Sequence, residues 1–185
     1  TIITGIGQGY LLVTPLQLAY ATATLANRGR AIRPRLLRGL ENPGSGAITH
    51  PAQRRGLSVE NKDSSTWDRV IAGMESVLHG SRGTARASGR NSPYRIAGKT
   101  GTAQVVSIPE GWDHHSDELP EELRDHALFI AFAPIEQPRI AIAGVVENGG
   151  SGSRVAAPIA RKIMDYYFID RLRRASLPGI ANVFG

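Results

Sequence analysis

The alternation of apolar and polar positions predicts six elements in the order helix, helix, three strands, helix. Apolar residues recur at helical spacing in two early stretches, the first after Thr14 and the second from Ser64 to about Gly80. Shorter apolar runs predict strands at about 94–106, 127–133 and 140–146. A last helical pattern covers about 156–174. We therefore expect an α+β fold in which helices cover an antiparallel sheet.

The two early helices carry recognisable signals. Thr14 can serve as the N-cap of the first, with Pro15 at the first helical position and Gln17 completing a capping box. Asn27, Arg28 and Gly29 are typical of a helix end. The second helix has an apolar stripe at spacings of three and four, made by Trp67, Val70, Ile71, Met74, Val77 and Leu78.

The later elements follow from shorter patterns. The run 127–133 is apolar throughout, which predicts a strand buried on both faces. The short connection from Pro134 to Pro138 then leads towards 140–146, so these two strands should pair antiparallel. In the last helix we expect five residues to face inward: Val155, Ile159, Ile163, Met164 and Tyr167. Turn-forming residues predict an exposed loop at 42–56 and a long loop at 107–125.

Composition narrows the class of protein. A chain of 185 residues corresponds to about one domain, and 41% hydrophobic with 21% charged residues is ordinary for a globular protein. The net charge is +6, but the basic residues are scattered and lack interleaved aromatics, so we expect no nucleic-acid partner. The absence of cysteine excludes disulfides, thiolate metal sites and a cysteine nucleophile. No apolar run approaches the roughly 20 residues of a membrane span.

Three motifs suggest ligand chemistry that their context does not support. Gly98-Lys99-Thr100 resembles the end of a phosphate-binding loop, but Pro93 stands where that loop needs glycine, and a strand follows instead of a helix. The glycine-rich segment 5–9 is followed too late by its helix for a dinucleotide loop. The acidic and histidine-containing segment 113–118 could hold a metal, although a solvated loop is the favoured interpretation and we predict neither metal nor cofactor.

The segment Lys99-Thr100-Gly101-Thr102 is the strongest chemical signal. Strand alternation places Thr100 and Thr102 on one side and Lys99 on the other, so two hydroxyls would face one group such as a carboxylate. Gly101 lacks a side chain where another backbone could approach closely, as when a peptide pairs with the strand. An edge strand protected against aggregation by its lysine explains these four residues equally well.

These four residues resemble the third signature motif of penicillin-binding proteins and serine β-lactamases. Gly7-Gln8-Gly9-Tyr10, followed by the helix from Thr14, resembles the segment that precedes this motif in class B transpeptidases. The stretch from Leu123 to His126 through Phe132 to Pro134, and then Val146 to Gly150, resembles the elongation-type branch, the penicillin-binding protein 2 group. The resemblance covers nearly the whole chain.

The resemblance implies a penicillin-binding, serine β-lactamase-like fold and a peptidoglycan D,D-transpeptidase that works through a serine acyl-enzyme. Lys99 would hold and polarise a serine of the second motif, and Thr100 and Thr102 would bind the substrate carboxylate. The backbone N–H of Thr102 would donate to the oxyanion, and Gly101 would let the substrate backbone lie close. The implied ligands are the D-Ala-D-Ala end of a stem peptide and β-lactam antibiotics.

One departure from the family pattern concerns the nucleophile. No Ser-x-x-Lys is present, because the three lysines Lys62, Lys99 and Lys162 are preceded at the third place by Val59, Ile96 and Ile159. A Ser-x-Asn triplet is also missing. We therefore expect residues 1–185 to be the C-terminal part of a transpeptidase domain, inactive alone and partnered by the upstream part of the same domain.

The resemblance further implies a periplasmic location at the inner membrane, beside a wall polymerase of the elongation machinery. Two other interpretations stay open. The chain could belong to a binding module that holds peptides or β-lactams without chemistry. It could also belong to a hydrolase, a D,D-carboxypeptidase or β-lactamase, which the segments around Asp125 and Glu147 disfavour.

Overall fold

A computed structural model describes residues 12–61, 63–105 and 119–170. Its helices and strands follow the predicted order, with a small hairpin and one short helix in addition. They are α1 Pro15–Ala26, β1 Leu40–Glu41, β2 Ile48–Thr49, α2 Ser65–His79, α3 Arg86–Gly89, β3 Ala97–Ala103, β4 His126–Ala133, β5 Ile140–Val146 and α4 Ala157–Asp165. A 3₁₀ turn at Glu121–Leu123 and π-helical turns at Gly152–Ala156 and Tyr166–Asp170 complete them.

The first helix begins as its sequence predicts. The Gln17 N–H donates to the Thr14 hydroxyl over 3.2 Å, and the Thr14 N–H donates to the Gln17 side chain over 2.8 Å. This reciprocal pair is a complete capping box. Further along, the hydroxyls of the buried residues Thr22 and Thr24 donate to carbonyls one turn earlier. The helix can therefore bury two polar side chains without leaving them unpaired.

The central sheet has the strand order β3-β4-β5 and is antiparallel throughout. β5 has the predicted bounds. The predicted strand 94–106 is too long, since β3 runs only from Ala97 to Ala103. It starts late because the N–H of Ile96 donates to the imidazole of His79, 3.0 Å away, instead of to β4. At the other end of the predicted strand, residues 104 and 105 follow β3 without strand structure, and residue 106 lies outside the described part.

Two apolar layers enclose this sheet. On one face, residues of β4 pack against α4 in a cluster that includes Ile96, Phe129 and Met164. On the other, Ala97 and Phe132 pack against Ile71 and Met74 of α2, together with the end of α1. The α+β architecture with helices over an antiparallel sheet is thus confirmed.

The prediction that β4 is buried on both faces is wrong for its first half. Ala127, Phe129 and Ala131 are fully buried, whereas Leu128 and Ile130 on the opposite face are only half-buried. α1 and α2 lie nearer the Ala133 end, where Phe132 is fully buried.

The predicted inward face of the last helix is also wrong in part. Ile159 is 46% exposed and Ile163 is 48% exposed. The side that meets the sheet is made by Ala157, Ala160 and Met164, whose small or flexible side chains allow the helix to lie close. Val155 packs against this cluster as predicted. The α-helix ends at Asp165, and the predicted residues 171–174 lie outside the described part.

Residues 30–61 form a lobe beside the ends of α1 and α2. The stretch predicted as an exposed loop, 42–56, is exposed, but it contains β2. This strand pairs with β1 in a small hairpin whose strands have two residues each. The predicted loop at 107–125 is described only from residue 119, where Leu119 and Asp125 are buried. Within the described ranges, no helix is long and apolar enough to span a membrane.

Candidate functional site

The Lys99–Thr102 segment lies at an edge of the central sheet. β3 pairs with β4 on one side and is the first strand in the order, so within the described residues no strand covers its other side. The pairing is regular, with Lys99 opposite Ile130 and Thr102 opposite Ala127. Another extended chain could therefore add along this edge.

The regular register separates the side chains as the alternation predicts. Thr100 and Thr102 share the face of Gly98, where a Cβ would meet Phe129, while Lys99 shares the opposite face with Ala97. Lys99 is exposed, and its ammonium donates to the carbonyl of Thr100 over 2.7 Å. Thr100 is half-buried and Thr102 is exposed. A cation on one face and two hydroxyls on the other thus lie within four residues of the edge strand.

Thr84 is a fourth polar residue of this site that the sequence reasoning missed. Its hydroxyl lies 3.3 Å from the hydroxyl of Thr100, close enough for either group to donate. It is placed by a tight turn between α2 and α3, in which the N–H of Ala85 donates to the Val77 carbonyl over 2.9 Å. Ala85 itself is only 1% exposed. No local sequence pattern predicts a role for Thr84, because its contact with Thr100 joins residues sixteen positions apart.

The backbone of Gly101 is enclosed from behind by a second glycine. A Cβ at Gly152 would lie 2.5 Å from the Gly101 carbonyl oxygen and would also contact the carbonyl of Leu128. On the other face of the sheet, a Cβ at Gly101 would lie 3.2 Å from the Cβ of Leu128. The π-helical turn at Gly152–Ala156 therefore supports β3 directly, backbone against backbone.

Three polar groups fix the start of β3. Arg95 binds Glu75 of α2 through Nε and Nη2, both over 2.7 Å, and Glu136 through Nη1 over 2.6 Å. The N–H of Glu136 itself, and then Arg95, lower the pKa of the Glu136 carboxyl. His79 holds the next residue, Ile96, by accepting its N–H. The strand thus enters the sheet from an anchored position.

The other residues that carry the family resemblance meet at the far end of the strand. His126 stands opposite Ala103, and its Nδ1 accepts the N–H of Asn148 over 2.9 Å. The Asp125 carbonyl accepts the N–H of Gly150 over 2.8 Å. The Asp125 side chain is 4% exposed, and its Oδ1 has no hydrogen-bond partner in the described part of the chain. These contacts fold the chain after β5 back towards β3.

Two predicted features lie outside the described residues. They are the glycine-rich segment 5–10 and the possible metal-binding segment 113–118. In the part that the structure describes, no group of three histidine, aspartate or glutamate side chains could hold a metal ion.

Comparison with known proteins identifies the family. The family described as penicillin binding protein transpeptidase domain matches residues 1–165. The peptidoglycan D,D-transpeptidase MrdA of Haemophilus influenzae is 41% identical over 174 residues, which are 93% of this chain and 26% of that protein. This chain therefore spans about a quarter of the length of that relative.

Solved structures show the same relationship. PBP2 of Pseudomonas aeruginosa, determined in complex with WCK 5153, is 46% identical with a TM-score of 0.74, over 91% of this chain and 33% of that one. Penicillin-binding protein A of Mycobacterium tuberculosis, determined as a ceftriaxone acyl-enzyme complex, is 31% identical with a TM-score of 0.68, over 88% and 34%. The expected fold is confirmed, and the chain belongs to the penicillin-binding protein transpeptidase family, with its similarity greatest to PBP2 and MrdA proteins among these relatives.

Proposed function

We propose that this chain supplies the substrate-binding strand of a serine-type peptidoglycan D,D-transpeptidase. The observation that carries the proposal is the position of Lys99, Thr100 and Thr102 on β3, whose outer edge no strand of the described residues covers, in a chain of the transpeptidase family. The stem peptide would lie extended along this edge. Its terminal carboxylate would accept hydrogen bonds from the hydroxyls of Thr100 and Thr102, which share one face of the strand.

The reaction would proceed in two acyl transfers. A serine oxygen attacks the carbonyl carbon of the penultimate D-alanine, its proton leaves to a neighbouring base, and the peptide bond to the last D-alanine breaks. The departing amine takes a proton, and free D-alanine is released. The amine of a second stem peptide then attacks the ester carbonyl, which restores the serine and leaves a peptide cross-link. Both steps need only protein groups, so no cofactor is required.

Each residue of the motif would have a distinct role in these steps. The Lys99 ammonium would hold and polarise a serine of the second motif and attract the substrate anion. The Thr102 N–H would donate to the oxyanion of each tetrahedral intermediate, a contribution of roughly 3 to 4 kcal/mol. Gly101 would keep a side chain from obstructing the approaching peptide, and Gly152 would hold the strand in place from behind.

The nucleophile would come from outside these 185 residues. None of the three lysines is preceded by serine at the third place, so the chain carries no Ser-x-x-Lys. The partner of β3 would then be another part of the same domain. No strand of the described ranges covers the outer edge of β3, and this supports the arrangement because another part of the domain could lie against that edge.

The remaining partners and the location are proposed from the relatives. The ceftriaxone acyl-enzyme complex of the Mycobacterium tuberculosis relative supports covalent inhibition by β-lactams. The name peptidoglycan D,D-transpeptidase supports the stem peptide as substrate. Work on peptidoglycan would place this chain on the periplasmic face of the bacterial inner membrane, beside a wall polymerase.

Intact mass spectrometry after treatment with benzylpenicillin tests the proposal. The full-length protein should gain one adduct, which peptide mapping should locate on a serine outside residues 1–185. The 185-residue chain alone should gain none. A full-length protein without an adduct would favour a peptide-binding module, and rapid release of the adduct as hydrolysed drug would favour a β-lactamase.

A further inference from the structure

The lobe at residues 30–61 has a charge composition unlike the rest of the chain. It contains only two acidic residues, Glu41 and Glu60, and no aromatic residue. Against these stand six arginines: Arg30, Arg33, Arg35, Arg38, Arg54 and Arg55. The catalytic proposal gives this concentration of positive charge no role.

Two passes of the chain within the lobe enclose a groove of about 160 Å³. We call it the arginine groove, formed by residues 33–37 and 51–54. The Arg33 N–H donates to the Arg54 carbonyl over 3.0 Å, and the Gln53 amide donates to the Arg33 carbonyl, also over 3.0 Å. The Arg35 guanidinium closes one end on the carbonyl of Pro51 over 2.6 Å. The walls are thus joined by hydrogen bonds, although neither is a regular strand.

The groove combines apolar surface with positive charge. Pro34, Leu37 and Pro51 supply the apolar surface, and Leu37 is 49% exposed. Within the described ranges, Arg33 and Arg54 form no ion pair. Arginine is the side chain best suited to bind carboxylates, through two parallel N–H donors.

From this arrangement we propose that the arginine groove is a docking site for an acidic segment of a partner protein, with one or more apolar anchors. Carboxylates of the segment would pair with Arg33 and Arg54, and an anchor such as leucine would cover Leu37. The complementarity of charge selects an acidic partner.

Two other classes of anionic partner compete with an acidic protein segment. Single-stranded nucleic acid usually stacks its bases on aromatic side chains, and the lobe has none. An anionic membrane is the alternative that the vesicle measurement below separates from a peptide. The proposal itself concerns a protein segment.

Selection of a displayed random-peptide library on the full-length protein tests the proposal. Selected peptides should be enriched in aspartate and glutamate next to leucine or another large apolar residue. The double substitution Arg33→Glu and Arg54→Glu should weaken the binding of a selected peptide by about 10-fold or more in fluorescence anisotropy. It leaves the backbone hydrogen bond between these residues in place, so the lobe should stay folded.

The matched control reverses two exposed arginines elsewhere, Arg82→Glu and Arg139→Glu, with the same change in net charge. This control should bind the peptide within about twofold of the wild type. The proposal would be overturned if the selected peptides lacked acidic residues. It would also be overturned if both double variants bound an acidic peptide equally weakly. Binding only to phosphatidylglycerol vesicles would overturn it as well. Unchanged acylation by benzylpenicillin in all variants would show that the groove is separate from the acyl-transfer site.

Discussion

Replacement of Gly152 by alanine should damage the substrate strand without touching its side chains. Gly152 is buried and lies behind β3, where its α-carbon faces backbone. The added Cβ would lie 2.5 Å from the Gly101 carbonyl oxygen, against 3.4 to 4 Å for ordinary contact. It would also meet the carbonyl of Leu128. Since neither neighbour is a flexible side chain, β3 or the π-helical turn must move by about 1 Å.

The cost of this movement can be estimated in two ways. Overpacking of a buried position typically lowers the free energy of unfolding by about 1 to 3 kcal/mol. If β3 moves, the donors around Gly101 leave their positions, and a misplacement of about 1 Å can slow catalysis roughly 100-fold. We expect the acylation rate constant for benzylpenicillin to fall by about 10- to 100-fold in Gly152→Ala.

The assay is the acylation rate of the full-length protein, measured by intact mass spectrometry on samples quenched at timed intervals, together with the midpoint of thermal unfolding. Gly73→Ala is the matched control, because a Cβ there meets nothing within 4 Å and alanine is favoured inside a helix. The control should keep its acylation rate and melt at the same or a higher temperature. If Gly152→Ala acylated and melted like the wild type, the close support of β3 by this turn would be refuted.

Three further predictions concern groups around the strand. His79→Ala removes the acceptor of the Ile96 N–H and should lower the free energy of unfolding by about 1 to 3 kcal/mol. Urea titration measures this change, and His79→Gln should recover part of the loss. Equal stability of the wild type and both variants would contradict the prediction. Thr84→Val removes the hydroxyl beside Thr100 and should slow acylation about 3- to 10-fold, whereas Thr84→Ser should not. Burial, and then the neighbouring Asp165 carboxylate, raise the pKa of Tyr94. The contribution of the neutral Tyr94 phenol to the free energy of unfolding should therefore be fully present below about pH 10, where tyrosine is also neutral in the unfolded chain, and should be lost as the pH rises above it. Urea midpoints between pH 9 and pH 11 should show a smaller decline in Tyr94→Phe, and parallel declines would exclude the effect.

Local patterns predicted the elements that depend on nearby residues. The capping box of α1 and the bounds of β5 follow from residues within a few positions of each other, and both are confirmed. The open position of the Lys99 segment at a sheet edge also agrees with its mixture of lysine and threonine. Spacing alone predicted the α+β class, and the family resemblance added the penicillin-binding protein fold.

The failures concern contacts between distant parts of the chain. Large apolar residues predicted the inner face of α4, but a close approach to the sheet requires small ones, so Ala157 and Ala160 face inward while Ile159 and Ile163 are exposed. The contact between the hydroxyls of Thr84 and Thr100 is a tertiary contact, which the periodicity of the sequence does not predict.

The measurement that tests the central claim most directly compares acylation of the wild type and Lys99→Ala. Lys99 is exposed, and the only hydrogen bond described for its ammonium is to the adjoining Thr100 carbonyl, so its loss should leave the thermal midpoint unchanged. Lys162→Ala removes an exposed lysine of α4 and is the matched control. If β3 is the substrate strand, Lys99→Ala should slow acylation of the full-length protein by benzylpenicillin about 100-fold, with Lys162→Ala at the wild-type rate. Equal acylation rates in all three proteins would contradict the assignment of β3.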